Sequence, residues 1–241
     1  MTIRTNFVDL DGARPAPAVV VIDVLRAFTT VPWALFRGAA RILAVDTLDR
    51  AHALRDEQLP DALLAGEVHG ETPAGFDLGN SPTEVQQRDV SGRTIVHRTT
   101  AGTQGLARTA GSPLVLAASF VTATATARRL AQADVEEVTF VITGASHGRD
   151  GDEDLACAEL IAAMLDGSDP DPAPFLARVA TSDAGRAFAP DGPAWAPPED
   201  LACAIEVDRF DFTVRAEHDT TLEVIAVVAD RPRGATERTD E

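Results

Sequence analysis

The chain has 241 residues, of which 45% are apolar and 24% charged, with a formal net charge of −17. That length and composition support a sizeable buried core, in one large domain or two small ones, and exclude a disordered chain. The charge opposes general binding to nucleic acid or to anionic lipid, so an anionic ligand needs a local cluster of donors or a metal ion.

All 21 cations are arginine, and the chain contains no lysine and no tyrosine. Schiff-base lysine, Walker-A lysine and Ser–Lys mechanisms are therefore excluded. A GC-rich coding sequence accounts for this usage, and so does a need for forked contacts to phosphate, sulfonate or carboxylate.

In chain order, Met1–Leu10 lacks the basic start and apolar core of a secretory signal, and no apolar run approaches the roughly 20 residues of a membrane helix. A cytoplasmic protein without membrane association is expected. Val19–Ile22 is a β-branched run that predicts a strand buried on both faces, followed by helical spacing from Thr29 to Gly38. Further apolar runs at Ile42–Val45, Ala62–Ala65, Thr94–His97, Leu114–Ala117 and Val138–Thr143 predict strands. Helical patterns lie near His52–Asp56, Gly102–Ala110, Val121–Ala131 and Asp154–Leu165. The alternation predicts an α/β fold: mixed, largely parallel sheets covered by helices, with two similar subdomains around one cleft left open. An echo between Arg26 with Thr29-Thr30 and Arg98 with Thr99-Thr100 is too short to establish a repeat.

Asp166–Asp200 holds seven prolines and predicts short helices and extended connections inside a domain spanning residues 1–230. Leu201–Val207, Phe210–Val214 and Leu222–Val228 read as closing elements, and residues 231–241 as a frayed tail. Cys157 and Cys203 lack metal-ligand spacing and are expected to be buried thiols.

Several polar clusters follow predicted strands, where ligands of parallel sheets bind. Asp23, Arg26, Thr29 and Thr30 stand at a predicted helix start, where free N–H groups favour anions; capping and a surface ion pair are the ordinary alternative. A haloacid-dehalogenase reading of this run fails, because Leu25 occupies the place of the required second acid. Arg98, Thr99, Thr100, Gly102 and Thr103 repeat the theme. Gly66-Glu67 follows another strand. Gly75–Pro82, with Asp77, Asn80 and Ser81, crowds a turn that suits either a ligand loop or a helix cap. Glu153 and Asp154 open a helix, where acids either offset the dipole or hold a hard cation such as Mg²⁺. His69, His97 and His147 lie near these clusters without zinc spacing.

Taken together, these motifs resemble the 2-phosphosulfolactate phosphatase (ComB) family over roughly residues 18–166. Phe28 and Glu159 depart from the family pattern, Ala101 stands where it has the amide of a Thr-Thr-Asn-Gly-Thr motif, and Thr122 replaces another asparagine. The resemblance implies a ComB-like fold and Mg²⁺-dependent hydrolysis of (R)-2-phospho-3-sulfolactate, a small anionic substrate, in coenzyme M biosynthesis. It implies Mg²⁺ on some of Asp23, Glu67, Asp77, Glu153 and Asp154. Catalytic roles would fall to Asp23, Arg26, Glu67, Asp77 and Arg98, and substrate contacts to Thr29, Thr30, Asn80, Ser81, Thr99, Thr100, Gly102 and Thr103. A phosphatase for another small phospho-acid and a non-catalytic anion-binding homologue are the competing expectations. Homo-oligomerisation stays open.

Overall fold

The computed structural model describes residues 3–146 and 148–231; His147 and residues 232–241 of the expected tail lie outside the described residues. Nine strands form one sheet: β1 (Arg4–Asp9), β2 (Ala18–Ile22), β3 (Arg41–Ala44), β4 (Leu63–Gly66), β5 (Thr94–Arg98), β6 (Leu114–Ala118), β7 (Glu137–Ile142), β8 (Thr213–Asp219) and β9 (Val224–Asp230). Eight α-helices cover it: α1 (Ala27–Phe36), α2 (Leu48–Glu57), α3 (Pro82–Gln87), α4 (Gly102–Thr109), α5 (Ala123–Ala131), α6 (Asp152–Leu165), α7 (Ala173–Val179) and α8 (Pro198–Ala204).

The strand order is β1-β7-β2-β6-β8-β9-β3-β5-β4. Two parallel blocks, β1-β7-β2-β6 and β3-β5-β4, flank the antiparallel β8–β9 hairpin. Because β6–β8 and β3–β9 are also antiparallel, the two blocks run in opposite senses along the sheet. Residues that follow β2 and β5 nevertheless meet in one cavity.

β2 shows why its residues form a central strand. All five are fully buried; Val19 and Val21 join the apolar cluster that includes Phe28 and Val31 of α1, while Ala18, Val20 and Ile22 join Leu160 and Ile161 of α6. A run apolar at every position is what burial on both faces requires. α7 is tied to α6 by Arg178, whose Nε donates to both Asp152 carboxylate oxygens at 3.1 Å.

The predicted strands and helices appear within a few residues of their expected places, with two differences at the end of the chain. Leu201–Val207, expected as a closing element of no stated type, begins inside α8 and runs past its end, and the hairpin begins at Thr213 rather than Phe210. β1 had no counterpart in the sequence reading: at the sheet edge only Thr5 and Val8 of its residues are even partly buried, so it carries no apolar alternation.

α1 contains Pro32, which has no N–H to offer the carbonyl of Phe28. Ser119, beyond β6, fills that role: its Oγ donates to Phe28 O at 2.8 Å and accepts from Thr29 Oγ1 at 3.1 Å. Ser119→Ala should therefore lower unfolding stability by about 1–3 kcal/mol in denaturant titration, because a buried carbonyl loses its partner. A change within a few tenths of a kcal/mol would contradict this account of α1.

Candidate active site

Loops that follow β2, β4, β5 and β7 contribute to a cavity of about 370 Å³. Asp23, Leu25 and Arg26 come from the first, Glu67, His69, Gly70 and Asn80 from the second, Thr100 and Ala101 from the third, and Arg149 from the fourth. Asp183, Ala184, Ala187, Phe188 and Trp195 add a wall from the proline-rich segment.

Asp23 is buried, and its Oδ1 accepts the Ala27 N–H at 2.9 Å in the first turn of α1. A Cβ on Gly102 would lie 2.7 Å from Asp23 Oδ2, so glycine lets α4 begin directly against the carboxylate. Burial pushes the Asp23 carboxyl up from 3.8 to about 6; the negative charges of Glu67 and Glu153 add to the rise, and the Ala27 N–H and the Arg149 guanidinium oppose it.

Glu67 is held from three directions. Its Oε1 accepts the Thr100 N–H at 2.5 Å, and its Oε2 accepts the Gly70 N–H at 2.7 Å and the Thr100 hydroxyl at 3.0 Å. Gly66, just before it, has φ +142°, and a Cβ there would sit 1.8 Å from Arg98 O. The carboxylate thus fastens the loops after β4 and β5 to one another.

Glu153 and Asp154 differ although they are neighbours. Asp154 accepts the Val24 and Gly144 N–H groups at 2.7 Å and the Thr143 hydroxyl at 3.2 Å, joining the ends of β2 and β7 to α6. Burial, then Glu153 and Asp23, hold its carboxyl well above the usual carboxylate range. Burial likewise raises Glu153, whose Oε2 is enclosed and without a hydrogen-bond partner among the described residues.

Arg26 is anchored rather than free. Its Nη1 donates to Trp195 O at 2.6 Å and to Asp200 Oδ2 at 2.7 Å, and its guanidinium carbon lies 5.4 Å and 5.8 Å from the ring centroids of Phe188 and Trp195. Asp200 is fully buried, and its other oxygen accepts from Ser81 Oγ (2.8 Å), Thr83 N (3.1 Å) and Thr83 Oγ1 (2.5 Å). One carboxylate in α8 therefore ties Arg26 to the Gly75–Pro82 loop. Asn80 lines the cavity with its Oδ1 3.2 Å from His97 Nε2. Burial lowers His97 to about 4, so at neutral pH the uncharged ring donates this bond and leaves the Asn80 amide nitrogen as that side chain's remaining donor.

Of the residues singled out by sequence, Asp23, Arg26, Glu67, Asn80 and Thr100 line the cavity. Asp77 does not: its carboxylate accepts the Leu64 N–H at 2.9 Å and lies 3.7 Å from Arg55, so the structure does not bring it together with the other expected catalytic and metal-holding acids. Arg98 also stands behind the wall, donating from Nη1 to Glu67 O at 2.9 Å. Thr29 bonds Val24 O and Ser119, and Thr30 Oγ1 is enclosed without a partner among the described residues. Thr99 and Thr103 cap each other at 3.0 Å, and Ser81 caps α3 by accepting the Glu84 N–H at 3.1 Å. These side chains, with Gly102 and Asp154, shape the cavity without lining it. Glu153 is likewise outside the lining but acts electrostatically on Asp23.

Arg149, Phe188, Trp195 and Asp200 were missed. Aromatic residues in a proline-rich stretch were a usable signal for Phe188 and Trp195, two of the three aromatics there beside Phe175; Asp200 and Arg149 offered none, being single charges in charged surroundings.

Acid-bearing loops gathered at strand carboxyl ends define an α/β protein with an anionic cavity shaped for a small ligand. The family model described as 2-phosphosulpholactate phosphatase matches residues 7–189, and the chain belongs to that family. It is 46% identical over 147 residues to a probable 2-phosphosulfolactate phosphatase of Deinococcus radiodurans, covering 61% of this chain and 60% of the relative. A protein of the same description from Synechococcus sp. is 41% identical over 157 residues, 64% of this chain and 63% of the relative. One from Thermus thermophilus is 37% identical over 189 residues, 77% and 74% respectively. The chain thus spans less than two thirds of the length of the first two. Trp195 and Asp200 fall beyond the matched residues of the family model.

Two outcomes follow from these contacts. The unfolded Asp23 carboxyl titrates near 3.8 and the folded one near 6, so the native state binds more protons between those values and loses stability as pH rises through them. Asp23→Asn, which keeps an acceptor for Ala27, should stabilise the protein by about 1–3 kcal/mol at pH 8 in EDTA and by almost nothing below pH 4. Equal stability at both pH values would contradict the burial argument. Separately, Asp200→Ala leaves the buried Arg26 charge unpaired and should cost about 3–5 kcal/mol in denaturant titration.

Proposed function

We propose that the protein is a cytoplasmic Mg²⁺-dependent phosphatase that hydrolyses (R)-2-phospho-3-sulfolactate to 3-sulfolactate and phosphate, a reading supported by its similarity to probable 2-phosphosulfolactate phosphatases. The observation that carries this reading is the pairing of Asp23, whose Oδ2 accepts no hydrogen bond from the described residues, with the partnerless Oε2 of Glu153 beside an anionic cavity. Two such oxygens fit a hard cation, because an enclosed acceptor without a donor is otherwise left with its full desolvation penalty.

Among the described residues, no group of three or more His, Cys, Asp or Glu side chains forms a ready-made metal cage. The donor set therefore suits Mg²⁺, which keeps several waters and takes one or two carboxylates together with phosphate oxygens. Asp23 and Glu153 would hold the ion, whereas Glu67 and Asp154, with oxygens already engaged by N–H and O–H groups, hold the loops. Bound there, Mg²⁺ supplies charge neutralisation on the phosphoryl oxygens and eases departure of the alkoxide. The Asn80 amide nitrogen and the start of α4 supply oriented donors for the oxyanions, while Thr100, with both its donors engaged by Glu67, fixes the loop beside them, and the Phe188–Trp195 wall closes one side. Asp23 is also the carboxylate placed to act as a nucleophile, if water does not.

Ala101 lines the cavity where the family motif carries an amide. One missing donor favours a second reading, a phosphatase for another small phospho-acid on the same scaffold.

Purified protein should release phosphate from 2-phospho-3-sulfolactate with Mg²⁺, release none in EDTA, and lose at least about 100-fold in kcat/KM on Asp23→Asn. A higher kcat/KM for a non-sulfonated phospho-acid would favour the second reading, and no turnover of any phosphomonoester would refute both. Independently of turnover, Mg²⁺ should raise the thermal midpoint of the wild type and leave that of Asp23→Asn and Glu153→Gln nearly unmoved.

A further inference from the structure

Two arginines line the cavity, and they are not equivalent. Arg26 is buried, paired with Asp200, bonded to Trp195 O and Gly70 O, and enclosed by two aromatic rings. Its Nη1 donors are taken by protein acceptors. Arg149 is exposed and makes no side-chain hydrogen bond among the described residues, yet its charge acts on both Asp23 and Glu153. Arg98, the other expected anion clamp, stands outside the lining.

Asp23 and Glu67 line the cavity from the loops after β2 and β4 and Asp183 from the proline-rich wall, and Asp23 with Glu153 suits a cation with the phosphoryl group beside it. A substrate carrying a second strong anion needs a further counter-charge of its own, since a chain of net charge −17 otherwise repels it. A planar guanidinium on a loop, with its forked donors unengaged, is suited to sulfonate or carboxylate.

We propose that Arg149 is a specificity-determining residue that binds the non-transferred anionic group of the substrate and so selects phosphate monoesters bearing a second strong anion. This assignment rests on the phosphatase reading and deepens it, naming the substrate class. It moves the clamp from Arg26 and Arg98 to a residue in the loop before α6.

The test compares wild type, Arg149→Gln and Arg149→Lys on 2-phospho-3-sulfolactate and on glycerol 2-phosphate, a secondary ester without a second anion. On Arg149→Gln the ratio of kcat/KM values, sulfonated over neutral, should fall roughly 10- to 150-fold, the loss expected for a hydrogen bond to a charged group. Arg149→Lys should recover part of it. Calorimetric binding of 3-sulfolactate and of inorganic phosphate gives the same comparison without turnover, and the affinity ratio should fall by a similar factor. Ratios that stay constant while both substrates weaken together would show that Arg149 serves only the acids, and would overturn the proposal. So would 3-sulfolactate binding that is absent or unaffected by Arg149→Gln. If neither ester is hydrolysed by the wild type, the phosphatase reading fails, and the binding ratio still decides Arg149.

Discussion

Burial of neighbouring carboxylates, with their repulsion added to the loss of water, is the constraint on which this site depends. Asp23, Glu153 and Asp154 are all nearly inaccessible, and each raises or shares in the raised proton affinity of another. Such a grouping is unfavourable in a folded protein unless protons, donors or a cation compensate it. Asp154 is compensated by two backbone N–H groups and a hydroxyl. Asp23 is compensated by a single N–H, and Glu153 keeps an oxygen with no partner among the described residues. The shortfall is local: Asp23 lines the cavity, and Glu153 lies enclosed behind it.

The surrounding architecture exists to tolerate that shortfall. Glycine at 102 and at 144 lets backbone approach the acids where any Cβ would collide with Asp23 or Glu153 oxygens. Pro32 would leave a carbonyl exposed inside α1, and Ser119 satisfies it, so the helix beginning beside Asp23 stays intact. On the far side, Asp200 joins Arg26, Ser81 and Thr83, so the proline-rich segment closes the cavity through an ion pair rather than through apolar contact alone. Truncating such a pair leaves an uncompensated charge, which is why it fixes geometry so firmly.

Much of this was legible in the sequence. The central strands could be read because burial on both faces demands unbroken apolar runs, as in Val19–Ile22. Asp23, Glu67 and Thr100 could be placed because each follows such a run. Asp77 could not be placed, since a turn aspartate that accepts a neighbouring N–H and one that binds a ligand have the same local sequence. The antiparallel hairpin between the two blocks was not legible either: strand order depends on pairings between residues far apart in the chain, such as Val115 with Ala216, which no local periodicity encodes. Asp200 acquires its role through contacts more than a hundred residues distant, with Arg26, Ser81 and Thr83.

The most direct measurement of the central claim is the titration of the Asp23 side-chain carboxyl by carbon NMR, with and without Mg²⁺. The account predicts a midpoint near 6 in EDTA and a shift well below that value when Mg²⁺ is added, because a bound cation favours the ionised form. A midpoint near 3.8 in EDTA that ignores Mg²⁺ would contradict both the buried-acid cluster and its role in holding a cation.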